Sequence, residues 1–233
     1  MMIVKIGLMH YRVGETDGVS LEMEKWKTVL ELMGHDVHFI AGELNGMDGF
    51  QVPSLGMDNQ KNLLIHSNAF ESLETPLDQL KEMFNSYVVE IEKELMVLPK
   101  FDVLIVNNVL SLGYNLAASV AVTDYVAKTG TFLITHNHDF YWERERYSKP
   151  TNNFVAEVLE RYFPPNLKNS KHLTINKIAR DELRRRRGID STVVPNVFDF
   201  DQDEWKLDDY NGDLRKRLGI PNEDIVVLHA TRI

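Results

Sequence analysis

Two imidazoles on alternate positions, then a carboxylate, two phenols, an indole and two guanidinium groups, are gathered in residues 136–147 of this chain, HNHDFYWERERY. Several chemistries fit such a set. His136 and His138 could ligate zinc or iron, both of which take imidazole nitrogen. His138 and Asp139 could instead meet a sugar hydroxyl or a leaving phosphate, with Tyr141 and Trp142 as a wall. Arg144 and Arg146 would then be available to pair bidentately with an anion. In the plain structural alternative, ERER is a solvated helix turn whose Glu and Arg side chains pair locally, and the aromatics belong to the core. A hydrolytic metal centre needs further ligands at a recognisable spacing. The chain has no HxHxDH pattern, and His10, His35, His38, His66, His172 and His229 form no cluster along the sequence, so no metal site is expected.

A second candidate is GETDG, residues 14–18, at the amino end of a helix. Free amides and the helix dipole there favour anions, and glycine lets a phosphate or carboxylate approach the backbone. It is neither the GxGxxG fingerprint nor a P-loop, and a tight turn with Asp17 or Ser20 as helix cap accounts for the same residues. Asn107, Asn108 and Tyr114 follow a strand end and could line the same crevice, although asparagines there commonly serve turns. Arg184 to Arg187 sit in the last turn of a helix, where cations suit the dipole; contact with a phosphate or an anionic lipid is the other reading. No Gly-x-Ser-x-Gly elbow, zincin helix or paired carboxylates at a readable spacing occur.

The elements that must position these groups alternate between strand and helix. Apolar runs predict strands at 3–9, 36–41, 102–107 and 131–135, with shorter ones at 171–175 and 191–194 and a short strand near 51–55 inside an irregular stretch, 42–59. Residues Val19, Met23, Trp26, Leu30 and Met33 recur at helical spacing up to Gly34. Leu80, Phe84, Tyr87, Ile91, Leu95 and Leu98 do the same until Pro99. Further helices are expected at 116–128 before Gly130, at 153–163 before Pro164, and at 177–187 before Gly188. No element is assigned to residues 60–76, and 10–18 reads as loop. The pattern predicts an α/β fold, a doubly wound, mostly parallel sheet with helices on both faces, and puts HNHDFYWERERY at a strand's carboxyl end, where open sheets hold ligands. From Phe198 the chain turns acidic and aperiodic, as an interdomain linker does, before a short helix at 213–218 and a last strand at 225–230.

Composition excludes several classes. A 43% hydrophobic content across 233 residues supports a real core, and a net charge of -9 argues against a general nucleic-acid binder. With no cysteine there is no disulfide framework, thiolate metal site or thiol nucleophile. The absence of a signal sequence and of any apolar run long enough to span a bilayer predicts a cytoplasmic protein without an integral membrane segment.

Taken in order, the strand MIVKIGLM, the glycine-bearing loop, GHDV, HNHDFYWERERY, INKIARDELRRRRGI, VPNVFDF and RKRLGIPNEDIVVLHATRI resemble the group 1 glycosyltransferases over nearly the whole chain. The resemblance implies a retaining, metal-independent enzyme of the GT-B fold that needs no cofactor. Its two Rossmann-like domains would face each other across a cleft, the first binding the acceptor and the second most of a nucleotide-sugar donor. On that footing, residues 1–197 are the acceptor-binding GT-B N-terminal half. Residues 198–233 are the linker and first strand of a C-terminal donor-binding domain whose remainder is absent and which activity requires. His138 matches the family's active-site histidine near the transferred sugar, with Asp139 beside it. Gly14 and Gly18 match the loop that meets the donor diphosphate, so Gly14, Glu15, Thr16, Asp17 and Gly18 are expected there, although many members have paired glycines where Glu15 follows Gly14. Asn108, Tyr114, Tyr141, Arg144 and Arg146 are the expected contacts of a sugar-like or anionic acceptor. The competing classes are a non-catalytic sugar or phosphate binding module, for which the chain would be complete, and a metal-dependent hydrolase.

Overall fold

The apolar opening run becomes strand β1 (Lys5–Arg12) of the structure, a computed structural model that describes residues 3–198 and 208–227. β1 is longer than its apolar run because its polar end still pairs with β2 (Asp36–Glu43), setting His10 opposite Ala41 and Arg12 opposite Glu43. The expected loop therefore shrinks to residues 13–17. The other strands are β3 (Gly49–Gln51), β4 (Val103–Asn107), β5 (Phe132–Asn137), β6 (Ser170–Thr174) and β7 (Thr192–Val193). They form one sheet in the order β3-β2-β1-β4-β5-β6-β7, and every neighbouring pair is parallel. This is the expected Rossmann-like doubly wound α/β fold, consistent with the amino-terminal half of a GT-B enzyme.

Both faces are covered. Against one face lie α2 (Gln60–Phe70), α3 (Leu77–Met96), α4 (Leu116–Thr129) and α6 (Asn153–Tyr162), in a core that joins Met9, Leu104, Val106 and Leu133 to Phe84, Tyr87, Ile91, Ala118, Val122 and Leu159. Against the other, α1 (Gly18–Leu32) packs Met23 and Trp26 on Leu8, Phe39, Ile105 and Ile134. Alternation along the strands sends Leu8 to one layer and Met9 to the other. α7 (Lys177–Arg187) adds a small cluster, Ala179, Leu183 and Ile189, under Phe140 and Trp142. No helix among the described residues is long and apolar enough to cross a membrane.

Other expectations within the sheet and its helices need correction. The short strand lies at Gly49–Gln51, and Pro53–Leu55 is instead a turn of 3-10 helix with Pro at its start. α2 fills part of the stretch that was given no element, because its buried face is Asn62, Ile65, Asn68 and Ala69, half of it polar. Asn68 earns its burial by hydrogen bonding, its Nδ2 donating to the Leu64 carbonyl and its Oδ1 accepting the amides of Glu74 and Thr75. β5 also runs two residues past its apolar part, so His136 and Asn137 are strand residues rather than loop.

One close approach fixes how β2 meets that 3-10 turn. A Cβ on Gly42 would stand 2.1 Å from the Gly56 amide nitrogen and 2.3 Å from its Cα. Gly42→Ala is expected to destabilise the domain by about 3 kcal/mol through forced backbone displacement. Urea unfolding followed by circular dichroism checks this, and an unmoved midpoint would contradict the packing.

Contacts divide the chain into two compact units, Met1–Asn196 and Val197–Ile233. In the second, α8 (Leu214–Leu218) ends at Gly219 in the left-handed region. The Arg215 guanidinium donates to the carbonyls of Pro221 (2.7 Å) and Asp224 (3.0 Å). Of the expected last strand, residues 225–227 have no regular structure and 228–230 lie outside the described residues, as does most of the expected linker, residues 199–207.

Candidate functional site

β1, β4 and β5 are adjacent and parallel, so their carboxyl ends share one edge of the sheet. At β1 and β4 the strand order reverses: β1 leads to α1 on one face and β4 to α4 on the other. The loops diverge there, and in open sheets that divergence is the usual ligand position. Asn107, the last residue of β4, lies opposite His136 of β5.

Asn107 holds three histidines. Its side-chain Oδ1 stands 3.0 Å from Nδ1 of His136 and 3.2 Å from Nε2 of His138. Its backbone carbonyl is 2.8 Å from Nδ1 of His10. Asn107 and all three imidazoles are buried. One of the histidines scattered along the sequence, His10, 97 residues from Asn107, thus joins His136 and His138. Strand order held the missing signal, since in a doubly wound sheet the first strand neighbours the fourth and brings His10 beside Asn107.

Burial governs the charge of these rings. His10 is pushed down to about 4 chiefly by desolvation, against the Asn107 carbonyl and Asp17, which favour the proton. His136 falls to about 3, through burial and then the neighbouring His138, opposed by Glu22 and the Val194 backbone. His138 falls to about 4, through burial and then His10, opposed by Asp17. All three are neutral imidazoles at neutral pH, able to donate one hydrogen bond and accept one.

Asn108 shapes the loop that carries His138. It adopts φ 57°, a left-handed conformation that asparagine tolerates better than most residues. Its Oδ1 accepts the amides of His138 (2.8 Å) and Asp139 (3.2 Å). Asp139 in turn accepts from Arg144 at 2.8 Å. Asn196 completes the surround, its Nδ2 lying 3.3 Å from His138 Nδ1.

The other expected acceptor contacts fall into separate groups. Arg146 donates to the Tyr147 hydroxyl and lies over the rings of Tyr147 and Tyr114. Tyr114 also meets Tyr11, at the end of β1, and His66 of α2. Tyr141 packs on Trp142 and Phe163, with its amide bonded to the Ser111 carbonyl. Thus His138, Asp139, Asn108 and Arg144 are brought together, Tyr114 and Arg146 form a neighbouring aromatic and cationic group, and Tyr141 stands apart from both. ERER is not paired within itself: Glu143 accepts the Phe140 amide, and Glu145 pairs with Lys149 in α5 (Glu145–Ser148). The arginines ending α7 are charge-compensated, Arg185 and Arg186 by Glu182, Arg187 by Glu160 and Arg184 by Asp190.

Residues 14–18 border the histidines. Asp17 caps α1, accepting from the amides of Val19 (3.1 Å) and Ser20 (3.2 Å), and pairs with Arg12 at 3.4 Å. Burial would raise its carboxyl, yet the Ser20 bonds and the nearby His10 and Arg12 hold it below the ordinary value. Gly14 sits at φ 77°, and a side chain there would run into Met47 and the carbonyl of Leu44. The amides of Gly14, Glu15 and Thr16 meet no acceptor among the described residues. The cap occupies the first amides of α1, so an anion approaching this loop would meet residues 14–16 before the helix itself.

Among the described residues no group of three or more histidines, aspartates or glutamates is arranged to hold a metal ion. No protein-family model matches the chain. It is similar to two curated proteins, each called mannosylglucosylglycerate synthase. The one from Petrotoga mobilis is 44% identical over 231 residues, 99% of this chain and 53% of that protein. The one from Thermotoga maritima is 41% identical over 236 residues, again 99% of this chain and 53% of that protein. The chain thus spans about half the length of the curated relatives it matches.

Proposed function

We propose that this chain is the acceptor-side half of a glycosyltransferase of the group 1, GT-B type, acting with retention and without a metal ion. It would move mannose from a nucleotide-sugar donor to glucosylglycerate or a close analogue, the acceptor implied by the name of the product its relatives make. The observation that carries this reading is the likeness to those relatives along 99% of the chain. The ends of β1, β4 and β5 support it, because hydrogen-bonding groups of the kind that meet sugar hydroxyls lie together where such folds hold substrates.

Sugar transfer requires stabilisation of an oxocarbenium-like sugar and of a departing diphosphate, so fixed dipoles and positioning matter more than a protein nucleophile. In this reading His138, neutral and held through Nε2–H, offers Nδ1 to a hydroxyl of the transferred sugar, which takes the place of the Asn196 Nδ2 now 3.3 Å away. The amides of residues 14–16 face the diphosphate. Asp139, oriented by Arg144, meets an acceptor hydroxyl, while Tyr114 and Arg146 meet the sugar face and the carboxylate of the acceptor. A separate carboxyl-terminal domain supplies most of the donor site.

Amide chemical shifts of the isotope-labelled chain give the test. Titration with glucosylglycerate is expected to perturb His138, Asp139 and Tyr114 at millimolar ligand, with a nucleoside diphosphate sugar binding more weakly. Micromolar binding of the nucleotide sugar by this chain, or indifference to the acceptor, would remove the assignment.

A further inference from the structure

We infer that Asn107 is the positioning residue of this site: its carboxamide sets the tautomers of His136 and His138 together, so that His138 turns a lone pair, on Nδ1, toward Asn196. The argument begins with what each atom can do. A carboxamide oxygen only accepts, so both ring nitrogens that approach it must carry hydrogen. Those nitrogens are Nδ1 of His136 at 3.0 Å and Nε2 of His138 at 3.2 Å. A neutral imidazole has one hydrogen, so Nδ1 of His138 is left as an acceptor.

The orientation of the carboxamide decides everything downstream. Turned over, Asn107 would offer its NH2 to the two rings and force both into the opposite tautomer. The Val194 backbone, which favours a proton on His136, leans toward that state, and two observations oppose it. The Asn107 Nδ2 lies 3.5 Å from the Met9 carbonyl, which a flipped oxygen would face with like polarity. On the far side of His138, the Asn196 Nδ2 lies 3.3 Å from Nδ1, as suits a donor meeting a lone pair. The backbone of Asn107 repeats the arrangement, since its carbonyl takes Nδ1–H of His10 at 2.8 Å and fixes the third tautomer. Asn107 touches no substrate in this scheme; it acts through His138.

Among the described residues the charged and titratable groups recorded around the pair come from four segments. β1 contributes His10 and Arg12, the following loop Asp17, α1 the buried Glu22, and β5 His136 itself. Asp17 and Glu22 favour protonated rings, but burial outweighs them. An anion at position 107 would stand against both rings at once and reverse that balance.

The inference rests on the function proposed above only where sugar transfer is read, so the first readout is made without it. Long-range proton–nitrogen spectra of the isotope-labelled chain are expected to show Nδ1–H on His136 and Nε2–H on His138. In Asn107→Asp, of the same shape, both tautomers are kept, and the rings take up protons at higher pH by at least about tenfold in affinity. In Asn107→Ala the shared acceptor is gone and the rings become tautomeric mixtures. Should that variant fail to fold, the aspartate variant decides alone. An Nδ1–H tautomer at His138 in the unaltered chain, or unchanged proton affinities in Asn107→Asp, would overturn the inference. In a protein carrying both halves, Asn107→Asp is expected to move the acid limb of transfer to higher pH while restoring most of the rate above it. If the spectra behave as expected but no sugar is transferred by any form, the functional reading fails and the positioning role stands.

Discussion

Replacing His138 by alanine in a protein that carries both halves is expected to lower sugar transfer by about two to three orders of magnitude, the usual loss when one preorganised group at a developing charge is removed. The backbone should survive the change, because the amide of residue 138 is held by Asn108 Oδ1 and not by the imidazole. What disappears is the neutral ring fixed by Asn107 on one side and Asn196 on the other. Water entering the gap could accept the same hydroxyl, but it would have to be ordered anew in each turnover. The loss should therefore fall on kcat rather than on KM for the acceptor. Initial rates across acceptor concentrations provide the measurement, and a variant within about tenfold of the parent would exclude His138 from the transition state.

Mild acid should unfold the domain. His10, His138 and His172 take up a proton in the folded chain only near about 4, and His136 only near about 3, all chiefly because burial disfavours the cation. Unfolded, each would do so near 6.5. Above that pH both states are neutral and the stabilisation is complete. Between about 6.5 and 4 the unfolded chain binds protons that the folded chain refuses, so stability falls as pH falls. Below the folded values these groups contribute no further change. Each is worth about 3 kcal/mol, and four together reach the order of 10 kcal/mol, comparable with the whole stability of a domain of this size. Asp17, held below its ordinary value, adds to the loss at still lower pH. Far-ultraviolet circular dichroism from about pH 8 to about pH 4 should show a cooperative transition inside the histidine window. His172, on β6 and outside the candidate site, bonds Thr135 of β5 at 2.7 Å. His172→Gln should shift the midpoint to lower pH, and a chain fully folded at about pH 4 would refute the account.

Much of this fold was legible because burial writes itself into periodicity. DVLIVN could only be a covered strand, and the run from Leu80 to Leu95 marks the buried face of α3. Gly130 and Gly188 end α4 and α7 in the left-handed conformation that glycine adopts without strain. Where polar groups are buried the signal vanishes. Asn62 and Asn68 hid α2, while His136 and Asn137 hid the end of β5. His136 bonds Asn107 and Asn137 bonds Leu173, both distant in the chain, while Asn68 bonds residues four to seven positions away, and hydrophobic patterning cannot register such bonds. For the site, the density of HNHDFYWERERY marked the right loop, but His10 and Asn107 reach it through strand order. The cap at Asp17 was one of two readings that residues 14–18 allowed; its bonds to the Val19 and Ser20 amides establish it and leave residues 14–16 to the other.

The two consecutive asparagines at the end of β4 carry a further consequence. Asn107 still follows the strand's pleat and reaches the histidine rings with its side chain, whereas Asn108 has left the pleat at positive φ and reaches backbone amides. They are the same amino acid with non-interchangeable duties. Asn108→Gly would keep the bend and lose the suspension of the loop; Asn107→Gly would keep the loop and release the rings. A frame slip of one residue anywhere in β4 would leave the letters NN almost in place yet exchange their duties, so the tolerance of this region to insertion is far smaller than its composition suggests.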